Sequence, residues 1–170
     1  MNRQDVIDRC LNEDVLGIDS KVRIYEVASK ILRRLALLDD YLLMKFIKAD
    51  AVTSKFVLLY SIMRQDKLFF EFIFEIYQDA IYNSKQYISQ DDFDRFFLVK
   101  KESSDIVRGW SEVTINDLAK AYRNILKDSG FGRKEKRKIV IHTPLVDPEV
   151  LTHIEKLGYS DFVISLFGGA

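Results

Sequence analysis

The sequence contains few of the residues that interrupt or cross-link a chain, with 7 Gly, 2 Pro and 1 Cys among its 170 residues. Few glycines and prolines indicate long regular elements, mostly helices, because those residues most often break them. The single Cys10 excludes an intramolecular disulfide and a cysteine metal cluster. The 26 basic and 26 acidic residues cancel, so a surface that attracts nucleic acid has to be local.

The sequence also lacks an apolar run long enough to cross a membrane, which takes about 20 residues. Its most apolar stretch, 68–77, is interrupted by Glu71 and Glu75, one helical turn apart. Because carboxylates are costly at a bilayer centre, we predict a buried helix with one hydrated edge and no membrane contact. Residues 1–5 carry no apolar segment, so we expect no secretory signal and a cytoplasmic protein.

Recognisable catalytic motifs are missing as well. The sequence has no Walker loop, dinucleotide-binding glycine motif or nucleophile elbow. Neither His142 nor His153 has a carboxylate or cysteine at ligand spacing, so both are expected to be structural or surface residues. Glu71 and Glu75 lack the Glu-x-x-His helix that a bundle metal site needs. We therefore predict a protein that is not an enzyme and takes no cofactor, metal or small-molecule substrate.

Apolar residues at helical spacing predict an all-α fold. In the first half, helices are expected over 3–11, 20–38, 41–48, 51–64 and 67–82, and their short connections indicate an antiparallel bundle. The polar stretch 83–88 lacks periodicity and is the best candidate boundary. Beyond it, helices are expected over 90–100, 105–110, 114–129, 148–158 and 160–167. We predict an N-terminal bundle (1–83) and a C-terminal unit (89–170), packed together as one compact domain.

The stretch 114–146 has the order of elements of a winged helix-turn-helix. Thr114 and Asp117 form a predicted capping box, and Gly130 is expected to end the helix. Apolar positions predict that Leu118, Ala121, Tyr122, Ile125 and Leu126 are buried. A basic turn over 132–138 and a short strand over 139–142 follow. We therefore expect a winged-helix-like unit that carries a short β element.

Basic and amide side chains cluster on this predicted unit. The buried face leaves three cations and two asparagines, Asn116 and Asn124, facing outward on the helix, and five cations lie in the predicted wing. The predicted nucleic-acid-binding residues are Asn116, Lys120, Arg123, Lys127, Arg133, Lys134, Lys136, Arg137 and Lys138. We expect duplex DNA as the ligand, held mainly through its phosphates. The competing interpretation is a solvated helix face and a solvated basic turn.

Two further surfaces leave other functions open. A second basic face, with Arg23, Lys30, Arg33 and Arg34, is expected to be a solvated helix surface. The dense aromatics around 69–77 mostly belong to the core, but Phe70, Phe74 and Tyr77 are candidates for a partner surface. Exposure of any one of these three side chains would favour a protein–protein adaptor over a DNA-binding protein. Trp110 is expected to anchor the core between helices rather than to stack on a base.

Several segments, taken in order and spacing, resemble the BrxA family of bacteriophage exclusion (BREX) defence systems. The matching segments are Lys30-Ile31-Leu32-Arg33-Arg34-Leu35, Leu68-Phe69-Phe70-Glu71-Phe72, Glu75-Ile76-Tyr77, Asp91-Asp92-Phe93, Phe96-Phe97, Gly109-Trp110-Ser111-Glu112-Val113-Thr114, Leu118-Ala119-Lys120-Ala121-Tyr122 and Leu126-Lys127-Asp128-Ser129-Gly130-Phe131. The resemblance implies a mostly helical cytoplasmic protein with a fold like the antitermination factor NusB, and a DNA-binding role beside other BREX proteins. RNA binding in the manner of NusB stays open as an alternative.

Overall fold

The computed structural model describes residues 3–13 and 15–168, which form a mainly helical fold with one small sheet. The helices are α1 (Arg3–Asn12), α2 (Lys21–Leu35), α3 (Asp40–Lys48), α4 (Ala51–Gln65), α5 (Lys67–Phe72), a π-helical segment (Ile73–Tyr77), α6 (Gln78–Tyr82), α7 (Gln90–Ser103), α8 (Asp105–Arg108), α9 (Glu112–Ser129), α10 (Pro148–Lys156) and α11 (Ser160–Phe167). The predominance of helix and the short β element are confirmed.

Local capping signals place most of the helix ends. Ser89 and Asp92 form the predicted capping box of α7, since each side chain accepts a hydrogen bond from the backbone N–H of the other. Gly130 ends α9 at a φ of 86°, in the left-handed region expected of a C-terminal cap. The predicted start of α9 is wrong. The helix begins at Glu112, and its N-cap is Ser111, whose hydroxyl accepts from the N–H of Thr114.

The predicted helix over 67–82 contains a π-helical segment, Ile73–Tyr77, between α5 and α6. A π turn shifts the register of every residue that follows it. Tyr77 is therefore fully buried, although the sequence made it a candidate for an exposed partner surface. Phe70 stacks on Phe162 with a centroid distance of 4.3 Å. Of the three candidate aromatics only Phe74, which is 44% exposed, stays at the surface.

The sheet has three antiparallel strands, β1 (Tyr87–Ile88), β2 (Gly132–Glu135) and β3 (Lys138–Ile141), in the order β1-β3-β2. Most of the predicted basic turn, residues 132–135 and Lys138, thus lies in the strands β2 and β3, and the turn itself is the two-residue loop between Glu135 and Lys138. β1 lies in the stretch predicted to be an irregular boundary. Its pairing with β3 puts the fully buried Ile88 into the core.

One large apolar cluster fills the space between the helices and the inner face of the sheet, with members from Leu42 to Leu166. Phe72 stacks on Phe93 at 4.7 Å between centroids, so side chains on both sides of the stretch 83–88 share this cluster. The division at 83–88 stays a prediction. A second, smaller cluster joins α1 to α2 through Ile7 and Ile24.

Candidate nucleic-acid interface

The 18 residues of α9 form the longest helix among the described residues, and their buried face differs from the predicted one. The buried residues are Ile115, Ala119, Tyr122, Arg123, Leu126 and Ser129. At 100° per residue, this face is rotated by roughly 60° from the predicted one. Ala121, which was predicted to be buried, is exposed. The rotation decides which of the candidate residues reach solvent.

Arg123 was predicted to face nucleic acid, and the structure buries it. Its side chain is only 9% exposed, and its guanidinium carbon lies 4.1 Å from the ring centroid of Phe93. Its Nη2 donates a hydrogen bond to Oε1 of Gln90. Burial lowers the pKa of Arg123, and the charge of Asp94 partly opposes this shift. Arg123 therefore joins α9 to the start of α7 and is not available to a phosphate.

The other three candidates on α9 are exposed. Asn116, Lys120 and Lys127 lie on one stripe, since they are separated by four and seven residues. With a rise of 1.5 Å per residue, the stripe is roughly 16 Å long. Lys127 Nζ lies 2.9 Å from Oδ1 of its neighbour Asp128. These residues form a mildly basic edge that ends where the hairpin begins.

The β2–β3 hairpin carries the five predicted wing cations and one carboxylate. Glu135 pairs with Arg133, at 2.7 Å, and with Lys138, at 3.8 Å. The other three cations, Lys134, Lys136 and Arg137, are exposed and form no ion pair with any carboxylate in 3–13 or 15–168. The structure therefore divides the hairpin cations into two that share the charge of Glu135 and three free ones at or next to the tip, where Lys136 and Arg137 form the loop and Lys134 lies at the end of β2.

Lys136 occupies the first position of the two-residue loop with a φ of 53°. Tight hairpin loops require a positive φ at this position, which Gly or Asn adopts at lower cost than Lys. The loop thus holds a long basic side chain at a position where a smaller residue would fold more easily. Lys136 is therefore an exposed cation in the turn of the hairpin.

The base of the hairpin is held from inside the fold. The Tyr77 hydroxyl lies 2.7 Å from the carbonyl oxygen of Phe131 and 3.1 Å from that of His142. Gly132 packs closely, since a Cβ atom there would clash with Cγ2 of Ile139. Phe131 and Ile139 are fully buried. The cations at the tip therefore stand on a rigid base.

Two residues of this region, Gln90 and Tyr87, were not predicted from the sequence. Gln90 orients Arg123 and also donates to Oδ1 of Asp94. Tyr87 is 46% exposed, and Lys138 Nζ lies 4.6 Å from the centroid of its ring. Tyr and Ile are both enriched in β-strands, but the two residues of β1 are too few to predict a strand from the sequence.

The side chains that were considered for a catalytic or metal site make contacts with other side chains of the fold. Nε2 of His153 lies 2.7 Å from Oδ2 of Asp39, and the ring of His153 packs on Tyr41. Lys100 binds Glu71 and Glu75, which the sequence considered as a metal pair. In the described ranges, no group of three or more His, Cys, Asp or Glu side chains is placed to hold a metal ion.

Part of the basic face on α2 and the side chain of Trp110 make contacts within the protein. Arg34 is half-buried and donates from Nε to Oε1 of Gln65, while Arg33 donates to the carbonyl oxygen of Ser29. Trp110 packs against the main core.

Within the described part of the chain, every helix is too short or too polar to span a membrane.

Comparison with known proteins gives two matches that cover most of the chain. The family model of BrxA matches residues 1–158. The protein named BREX protein BrxA from Bacillus cereus (strain H3081.97) is 33% identical over 163 residues, an alignment that covers 94% of this chain and 82% of the relative. The segments that suggested this resemblance all lie within the matched range. The chain therefore belongs to the BrxA family.

Proposed function

We propose that this protein is a DNA-binding component of a BREX anti-phage defence system, and that it acts by binding rather than by catalysis. Membership of the BrxA family supports the place in BREX. The observation that carries the DNA-binding role is the hairpin tip, where Lys134, Lys136 and Arg137 are exposed and have no carboxylate partner in the described chain. Other BREX proteins are the proposed partners, which the DNA-bound protein recruits or positions.

The proposed contacts are to phosphates. Three unpaired cations on a rigid hairpin gain from the release of condensed counterions when they meet a phosphate backbone. Contacts of this kind position a protein on DNA and carry no sequence information directly. Lys120 and Lys127 on α9 extend the basic surface along the helix, and Asn116 at its far end is the one candidate for a base-edge contact. Arg123 is left out because it is buried.

The proposed docking mode is that of a winged helix, with α9 as the helix and the hairpin as the wing. Support comes from the direct connection of α9 to β2 through Gly130 and Phe131, and from the packing of α9 on the hairpin. A NusB-like arrangement of the helices is part of the same proposal. NusB-like RNA binding uses the same phosphate chemistry, so the choice between DNA and RNA is an outcome of the test. We place the protein in the cytoplasm, where host and phage DNA meet.

The adaptor alternative depended on exposed aromatics. Tyr77 is buried and Phe70 is stacked on Phe162, so Phe74 alone of the three is offered to a partner. One exposed ring is ordinary for a soluble surface. Contact with other BREX proteins is therefore proposed in addition to DNA binding and not in its place.

The test is fluorescence anisotropy of a labelled duplex at about 50 mM salt, where screening is weak. We expect saturable binding that unlabelled duplex displaces better than structured RNA. Displacement by RNA at lower concentration would replace DNA with RNA as the ligand. Absence of binding to either, together with co-purification of a BREX protein in nuclease-treated lysate, would overturn the proposal and favour the adaptor.

A further inference from the structure

The outer face of the small sheet carries an aromatic residue among cations. Paired residues of antiparallel strands point to the same side, so the register Tyr87↔Val140 and Arg133↔Val140 places these three side chains in one row. Glu135 and Lys138 form the next row on that face. The opposite face carries Ile88 and Ile139, which are buried in the core. The row with Tyr87 therefore faces away from the core.

Two hollows adjoin residues of this face. A groove of about 680 Å³ is lined by Tyr87, by the first residues of α7 and by the hairpin residues 135–138. A second hollow of about 460 Å³ is lined by Arg133, Val140 and His142. Each is large enough for one base, and cations line both. The carboxylate of Glu135 in the larger groove is already paired with Arg133 and Lys138.

We propose that Tyr87 is a stacking platform for one unpaired base of the bound DNA, an inference that rests on the proposed DNA-binding function. The ring is 46% exposed, and one cation, Lys138, now lies over it. An arriving base takes the place of that ammonium group over the ring, and Lys138 turns to the phosphate of the same nucleotide. Lys136 and Arg137, at the groove's other wall, hold the next phosphates.

The chemistry of stacking selects the state of the DNA. A base within a duplex has neighbouring bases on both of its faces, so it offers no free face to Tyr87. Aromatic side chains beside a basic groove are the usual means by which proteins hold unpaired bases without sequence preference. The protein is therefore expected to bind DNA that contains a gap or bubble more tightly than fully paired DNA of the same length and charge.

The test compares three labelled DNAs of equal length, which are a full duplex, a duplex with a three-base bubble, and the same bubble with 2-aminopurine at its centre. Four proteins are used, namely wild type, Tyr87→Leu, Tyr87→Phe and Tyr25→Leu. Leucine keeps an apolar residue in β1 but removes the ring, phenylalanine keeps the ring, and Tyr25 is a half-exposed tyrosine on α2. Circular dichroism and urea unfolding check that each variant folds.

We expect the wild type to prefer the bubble by about ten-fold, the order expected for stacking one base on an aromatic ring, with quenching of the 2-aminopurine fluorescence. Tyr87→Leu should lose the preference and the quenching but keep the duplex affinity, while the Phe variant and the Tyr25 control keep both. Equal wild-type affinities for bubble and duplex, or a preference that survives in Tyr87→Leu, would overturn this inference and leave DNA binding intact. Absence of wild-type binding to every DNA would overturn the proposed function itself and this inference with it.

If Tyr87→Leu does not fold, stacking is tested by the 2-aminopurine fluorescence in complexes of the wild type and of Tyr87→Phe. Quenching in the wild type and in Tyr87→Phe is the expected result, because both proteins have the ring. An unquenched signal in bound wild-type protein contradicts stacking on any aromatic side chain.

Discussion

The hydroxyl of Tyr77 lies 2.7 Å from the carbonyl oxygen of Phe131, just ahead of the first residue of β2. It lies also within 3.1 Å of the carbonyl oxygen of His142, just after β3. One buried side chain of the π-helical segment thus ties both ends of the hairpin to the core. Burial raises the pKa of Tyr77 well above its usual value, so the hydroxyl stays protonated and remains a donor at any physiological pH.

Replacement of Tyr77 by Phe should therefore destabilise the protein. The change leaves the ring in place but removes the only hydrogen of the hydroxyl, so two carbonyl oxygens at the base of the hairpin lose their donor. We expect a loss of about 1 to 2 kcal/mol in the free energy of unfolding, as for other buried hydrogen bonds, measured by urea denaturation. Tyr25→Phe on α2 is the matched control. Equal stability of Tyr77→Phe and wild type would show that the hydroxyl does not hold the hairpin.

Arg123 should behave as a structural residue. Arg123→Ala removes its packing on Phe93 and its hydrogen bond to Gln90, and we expect a loss of about 1 to 3 kcal/mol in stability. Lys120→Ala, one turn earlier on the exposed stripe, should change stability by less than about 0.5 kcal/mol but weaken DNA binding. Urea denaturation and anisotropy on both variants make the comparison. The assignment fails if Arg123→Ala keeps full stability and loses DNA affinity.

The capping box of α7 should give the protein an acid-sensitive contribution. Burial alone would raise the pKa of Asp92. Hydrogen bonds from the N–H and the hydroxyl of Ser89 lower it, and together with nearby positive charges they outweigh burial, so the net shift of the pKa is downward. A lowered pKa in the folded state adds stability that is present above the unfolded-state pKa, near 4, and is lost as the pH falls through the folded-state value. The carboxylate of Asp92 therefore stabilises α7 at neutral pH and not in strong acid.

Asp92→Asn tests this contribution. At pH 7 the variant should be less stable than the wild type by about 1 kcal/mol, the usual contribution of a helix cap. The difference should shrink as the pH is lowered from about 5 to about 3. Thermal unfolding followed at several pH values measures it, with Asp117→Asn on the exposed surface of α9 as the control for loss of one charge. A difference independent of pH would mean that the amide caps as well as the carboxylate does.

The sequence predicts most of what is decided within a few residues, with the start of α9 as the exception. The Ser89–Asp92 box, the left-handed Gly130 and the start of α10 at Pro148 are all as expected, since each depends on hydrogen bonds or dihedral limits inside one turn. The exposure of the cations at the hairpin tip is also decided locally. A charged loop between two short strands has no apolar surface to cover and stays in solvent.

Structural features that depend on residues far apart in the sequence were not predicted. Arg123 is drawn inside by Gln90, 33 residues earlier in the chain, and no local signal marks that pair. The series Ile115, Ala119, Tyr122 and Leu126, with spacings of four, three and four, does indicate the true buried face in hindsight. β1 has only two residues, and its pairing with Val140 and Ile139 is what makes it a strand. Tyr87 therefore entered the site only through the tertiary structure.

The most direct test of the account is the salt dependence of duplex DNA affinity. A variant with Lys134, Lys136 and Arg137 changed to Gln is compared with wild type and with a control of equal charge, Arg23, Lys30 and Lys48 changed to Gln on α2 and α3. Each phosphate contact contributes about 0.9 to the slope of log affinity against log salt, so the hairpin variant should have a slope shallower by roughly 2.7. The control should keep the wild-type slope. An unchanged slope in the hairpin variant, or an equal loss in the control, would contradict DNA binding through the hairpin.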